Sequence, residues 1–122
     1  MDLEILWMQK AENHLITAKL LFDKGFSSSI VDIVYMTMFS AIKALLLKRN
    51  IECKTHEGLL YLFKINYVDN NLFNRDLFRQ FCMCKESKTQ YFNLTHVKAS
   101  EFDVWAYLNY SRDFLDDAWE LI

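Results

Sequence analysis

The stretch Lys54-Thr55-His56-Glu57-Gly58-Leu59-Leu60 decides how the chain folds. Thr55 reads as a helix N-cap, because its hydroxyl can accept from the free amides of a first turn. Gly58 then falls inside that turn, where glycine is a poor helix former and needs a reason to be present. Close packing of the turn against a neighbouring helix supplies one. The neighbour is the apolar block upstream, Val34-Tyr35-Met36-Thr37-Met38-Phe39 followed by Lys43-Ala44-Leu45-Leu46, in which Phe39 and Ala44 are expected to be buried. His56 follows the cap directly. A helix N-terminus disfavours its protonated form, so a neutral ring is expected, hydrogen-bonded to hold the loop against its neighbour. The other reading of His56 is a ligand role, since helix N-termini attract phosphate.

Outward from this turn the periodicity is helical. A first helix is expected over 2–24, where Trp7, Ala11, His14, Ala18 and Leu21 run beside a second stripe of Met8, Ala11, Leu15, Ala18 and Phe22. Two adjoining stripes make a wide buried face, and Gly25 sits where a C-terminal glycine cap belongs. A second helix over 28–49 starts from one of Ser27, Ser28 or Ser29, and only Asp32, Thr37, Ser40 and Lys43 interrupt its apolar surface between Ile30 and Leu47. Such a helix must be covered on more than one side, either inside the bundle or by a second subunit. A short third helix spans 55–66. The Asp69-Asn70-Asn71 turn and an Asn74 cap lead into a fourth over 74–91, with Leu77, Phe81, Cys84 and Tyr91 on one face. Ser100 and Asp103 resemble a capping box opening a fifth over 100–122, where Trp105, Leu108, Arg112, Leu115, Trp119 and Ile122 form a stripe. The architecture expected is all-α, an up-and-down four-helix bundle with one additional short helix, forming a single domain over residues 1–122.

Composition agrees. The 122 residues are 52% hydrophobic, enough for one core, with no proline and only Gly25 and Gly58 as glycines. An all-β chain would need far more turn residues. Asp2, Glu4, Lys10 and Glu12 interrupt the first twenty residues, so no signal-peptide core is expected there. The uninterrupted apolar runs are far shorter than the roughly 18 residues that span a bilayer. Cys53, Cys82 and Cys84 form an odd set without a disulfide pattern. A cytoplasmic protein with free thiols and no membrane association is the expectation.

Charge is unevenly spread. Residues 1–74 balance, 75–98 carry Arg75, Arg79, Lys85, Lys88 and Lys98 against Asp76 and Glu86, and 101–122 carry Arg112 against six acids. The last two segments read as antiparallel helices of complementary charge, or the basic one as a strip that meets phosphate. With a net charge of −2 the whole chain is no bulk nucleic-acid binder.

Few residues offer chemistry of their own. Cys82 and Cys84 are two apart and so lie on different sides of a helix, and Cys53 with His56 supplies too few ligands for structural zinc. No metal and no cofactor is expected. His14, on an apolar face, reads as a satisfied histidine at the edge of the core.

Taken together, Tyr35-Met36-Thr37-Met38-Phe39 and Thr55-His56-Glu57-Gly58-Leu59 make the chain resemble the HEPN family of small helical prokaryotic proteins. Its members often show Tyr-Tyr-Ala-Met-Phe, here shifted by one position, and Thr-His-x-Gly-Leu. The likeness runs from Ala11-Glu12-Asn13-His14-Leu15 to the acidic last helix. It implies a dimeric bundle that partners a minimal nucleotidyltransferase in a toxin–antitoxin-like pair. Many active members are metal-independent ribonucleases in which an arginine precedes a histidine by four to six intervening residues, and two copies meet in the dimer cleft.

The chain departs from that motif. His96 would need an arginine among positions 89–91, where Thr89, Gln90 and Tyr91 stand. Relatives of this type often read Arg-x-x-Ala-Asp-Tyr, and Glu86-Ser87-Lys88-Thr89-Gln90-Tyr91 occupies that place. A carboxylate repels the phosphodiester that a guanidinium would clamp. The resemblance therefore implies a binding protein, with Lys85, Lys88, Tyr91 and His96 as nucleotide- or RNA-binding candidates and Tyr91 as the tyrosine a transferase would modify. The alternative is a weak ribonuclease that uses Lys88 and His96.

Overall fold

In the computed structural model, which describes residues 2–26, 29–93 and 101–122 (for 87–93 and 101–102 the backbone only), the described residues form helices joined by short loops and contain no strand. The helices are α1 (Leu3–Asp23), α2 (Ile30–Lys48), α3 (His56–Phe63), α4 (Arg75–Asn93) and α5 (Glu101–Leu121), and α3 continues into a π-helical turn, Lys64–Val68. The fold is thus the expected helical bundle with a short extra helix.

Where helices stop, the backbone explains why. Gly25 has φ +83°, its amide donates to Phe22 O, and the amide of Phe26 reaches back to Leu21 O. Asn50 (φ 59°) repeats the arrangement at the end of α2, with Asn50 N–H to Leu47 O and Ile51 N–H to Leu46 O. Both are paired-amide closures that use a left-handed residue just past the helix. At the start of α4 Asn74 is the cap, its Oδ1 accepting from the Leu77 amide at 3.1 Å. Ser29 stands at the head of α2 without a capping bond from its side chain. Ser27, Ser28 and Ser100 lie outside the described residues.

Helix α2 is the axis of the molecule and packs against α1, α3, α4 and α5. Val34, Met38, Ala41, Ile42, Ala44, Leu45 and Leu46 are wholly or almost wholly buried on it. By length and composition Ile30–Lys48 could cross a membrane, which the short apolar runs do not suggest, yet 67% of that stretch is buried in the bundle. Thr37 and Ser40 sit in this core without cost, because their hydroxyls donate to the carbonyls of Ile33 (2.9 Å) and Met36 (2.7 Å) one turn back. Most of the cover that the sequence requires for α2 comes from within one protomer, while Ile33, Met36, Phe39 and Leu47 stay only partly buried.

α1 presents Met8, Ala11, Leu15 and Ala18 to α2, the second of its two stripes. α5 runs antiparallel to α1 and meets the core one position away from the expected stripe. Val104, Ser111, Phe114, Leu115 and Ala118 are buried, whereas Trp105 and Trp119 are 54% and 37% exposed. Small Ser111 and Ala118 let α5 approach α2 closely, which an indole at those positions would prevent. Phe63, Phe73, Phe81 and Phe114 fill the space between α3, α4 and α5, with the Phe73 and Phe114 rings 4.6 Å apart.

The third helix extends past its expected end at position 66 because Tyr67 is pinned. Its hydroxyl donates to Leu45 O at 2.6 Å, and the Arg49 guanidinium lies 4.3 Å over its ring while donating to Asn66 O. Widening the last turn to a π turn brings Tyr67 and Val68 into the core together.

Candidate functional site

The turn into α3 is built as a small lock. Thr55 has extended backbone, and its Oγ1 accepts from the Gly58 amide at 3.1 Å. The Cys53 thiol lies 3.5 Å from the same hydroxyl. A Cβ on Gly58 would stand 2.6 Å from Thr55 Oγ1 and collide with Cys53 Sγ. The close approach that excludes a side chain therefore comes from the loop before α3, and not from a neighbouring helix. The Thr55 contact also holds the half-buried Cys53 thiol below its ordinary pKa.

His56, at the first position of α3, lies across α2. Its ring stacks on Phe39 at 4.2 Å with 13° between planes, and its Nε2 shares a hydrogen bond with the Tyr35 hydroxyl. Tyr35 is 2% exposed and stacks in turn on Phe81 of α4 at 5.1 Å. Burial first, then Cys84 and Cys82, holds the Tyr35 phenol far above its ordinary pKa, so it stays protonated. Phe39 is only half-buried, because its ring is the shelf on which the exposed His56 rests, whereas Ala44 is fully enclosed. Three helices, α2, α3 and α4, thus converge on one aromatic stack.

Of the residues singled out for nucleotide or RNA binding, Lys85 is partly buried on α4 near Cys82, whose thiol pKa burial raises and the lysine lowers. Lys88 and Tyr91 fall one and two turns further along α4, but their side chains, like all of His96, lie outside the described residues. Glu86 is exposed. Cys84 is buried, its thiol directed at Val31 O. Among the described residues no three His, Cys, Asp or Glu side chains gather in a way that could hold a metal ion.

His14 departs from its expected satisfied state. Its Nε2 is buried and, among the described residues, has no hydrogen-bond partner. Burial, helped by the positive charge of Lys10, lowers its pKa, so the ring is neutral. A polar cluster between α1 and α5 went unseen in the sequence. Arg112 of α5 forks onto Glu12 of α1 at 2.9 and 2.8 Å, Asp116 braces the guanidinium at 2.9 Å, and the Trp119 indole donates to Glu12 at 2.9 Å. The only advance sign was Arg112 itself, a base in an apolar stripe.

Comparison with known proteins agrees with this architecture. A protein named "UPF0332 protein" from Thermotoga maritima is 30% identical over 118 residues, 95% of this chain and 88% of its own length. The Methanocaldococcus jannaschii protein named "Putative toxin MJ0142" is 34% identical over 71 residues, 58% of this chain. "UPF0332 protein PH1297" from Pyrococcus horikoshii is 33% identical over 64 residues, 52% of this chain. The chain spans about half the length of the latter two, 48% and 45%. The HEPN domain model matches residues 5–120, nearly end to end, and the chain belongs to the HEPN family.

Proposed function

We propose that this chain is a HEPN-type binding protein, the partner of a minimal nucleotidyltransferase in a toxin–antitoxin-like pair. The reading rests on one observation: a HEPN chain carries Thr89, Gln90 and Tyr91 where the family's ribonucleases carry the arginine before the histidine. Without a bidentate guanidinium, the charge that develops on a phosphodiester lacks its main electrostatic support, and exposed Glu86 adds repulsion. Binding tolerates that loss better than catalysis does. On this reading the protein works as a cytoplasmic homodimer. Lys85, Lys88, Tyr91 and His96 meet nucleotide or RNA, and Tyr91 accepts a nucleotidyl group from the partner.

The test is to mix the purified chain with a minimal nucleotidyltransferase from the same operon and ATP. Co-elution of the two proteins and a nucleotidyl adduct that Tyr91→Phe abolishes are expected. Absence of both complex and adduct refutes the pairing.

A ribonuclease is the second reading, favoured by the word toxin in the names of two relatives. Single-stranded RNA incubated with the protein, with and without chelator, should stay intact. Chelator-resistant cleavage that His96→Ala removes would establish the ribonuclease and overturn the binding-only reading.

A further inference from the structure

One cavity lies away from the aromatic stack. It has a volume of about 470 Å³ and opens between the start of α1, the end of α2 and the turn into α3. That size is within the range of sites that enclose a small organic molecule. Trp7, Leu46, Ile51 and Leu59 give it an apolar lining, and Lys43 is the charged group that α2 contributes.

Lys43 is the informative residue. It is partly buried on a helix whose neighbouring positions are fully enclosed, and among the described residues no carboxylate lies within ion-pair distance of it. Its Nζ instead sits 5.4 Å from the centre of the Trp7 ring, which Lys10 also approaches at 4.6 Å. An indole face attracts an ammonium group, but far less than an anion would in a site with little water. A partly desolvated cation facing an apolar cavity is therefore an acceptor for one negative charge.

The mouth limits how much charge can enter. Glu52 lines the cavity, and the adjoining surface hollow adds Asp2 and Glu4. Lys54, also in the lining, is exposed. Carboxylates at the entrance work against a polyphosphate, whose several charges would have to pass or remain beside them. They are compatible with a ligand that carries one charge inward and leaves an uncharged body against Trp7.

We propose that this cavity binds a small amphipathic monoanion, an aromatic or short alkyl carboxylate, with its body against Trp7 and its carboxylate beside Lys43. The site is separate from α4 and independent of the proposed pairing.

The full chain, labelled with ¹⁵N, would be titrated with 2-naphthoate, with the neutral 2-naphthylmethanol, and with ADP. Saturable binding of naphthoate that shifts the Trp7 indole N–H and leaves those of Trp105 and Trp119 in place is expected. Lys43→Met should weaken naphthoate binding by about tenfold or more, and Lys43→Arg should retain it within about threefold, as the loss or retention of one charge-assisted contact dictates. Both variants are checked for native circular dichroism and thermal midpoint, and the arginine variant keeps the test meaningful if the methionine variant loses its fold. No saturable binding by millimolar naphthoate overturns the proposal. Equal affinity for the alcohol, equal affinity in Lys43→Met, or tighter binding of ADP at Trp7 does the same.

Discussion

Gly58 does not have the left-handed backbone that usually explains a glycine; what excludes a side chain is the pair of atoms Cys53 Sγ and Thr55 Oγ1. Two effects of Gly58→Ala oppose one another. Alanine in a helical turn is favoured over glycine by about 1 kcal/mol, whereas overpacking typically costs about 1–3 kcal/mol. Because Thr55 cannot move without surrendering its cap bond, the collision wins, and a net loss of about 1 kcal/mol is expected in urea unfolding. Adding Cys53→Ala should recover most of it, and failure to recover would mean that the clash is not with the thiol. Glu12 offers a second check, through pH. The Arg112 hydrogen bonds chiefly, then the Trp119 bond and the Arg112 charge, hold its carboxyl below the ordinary value of 4.5 against the opposing effect of burial. A depressed carboxyl stabilises the fold fully above its unfolded value, and that contribution is lost as pH falls through the lower folded value. The wild-type urea midpoint should therefore fall more steeply than that of Glu12→Gln below about pH 4.5, and parallel curves would remove the carboxylate from the acid response.

At the scale of an element, α2 and α3 are joined at both ends of the short helix. His56 lies on Phe39 and bonds Tyr35 at its start, and Tyr67 bonds the Leu45 carbonyl at its finish. An eight-residue helix is too short to persist alone in water, so these tertiary anchors hold it. Phe39 is the half-open part of the joint. A fully buried phenylalanine would cost about 3–5 kcal/mol on replacement by alanine, and partial exposure lowers the expectation for Phe39→Ala to about 1–3 kcal/mol. Thermal unfolding of the variant measures this directly. A loss under about 0.5 kcal/mol, the usual size for a surface position, would show that the stack on His56 carries no stability.

The molecule as a whole buries most of α2 within one copy and leaves Ile33, Met36, Phe39 and Leu47 of that helix only partly covered. Its exposed apolar side chains are elsewhere, Ile16 and Leu20 along α1 and Trp105 on α5 among them. The homodimer proposed with the function would cover apolar surface of one or both kinds. Sedimentation at micromolar concentration should give twice the mass of one chain, and a monomer there would refute the dimer and with it a composite α4 cleft.

By itself the sequence determined the fold class, most helix boundaries and the family. Those follow from local rules: 3.6-residue periodicity, the caps Thr55 and Asn74, the closure at Gly25, and the two strings around Tyr35 and Thr55. It also isolated Thr55, His56 and Gly58 as one turn, but not which atoms crowd the glycine. Only the tertiary structure decided that Cys53 does so, that α5 faces the core through Ser111 and Ala118 instead of its tryptophans, that Arg112 clamps Glu12, and that Lys43 stands over Trp7 with no carboxylate partner among the described residues. The difference is physical. Periodicity locates a helix face to within about one residue, whereas choosing between a small and a large side chain at a crossing depends on how closely two distant segments approach. Arg112 and Glu12 are 100 residues apart, and no local pattern carries information about a pairing that exists only once α1 and α5 lie side by side.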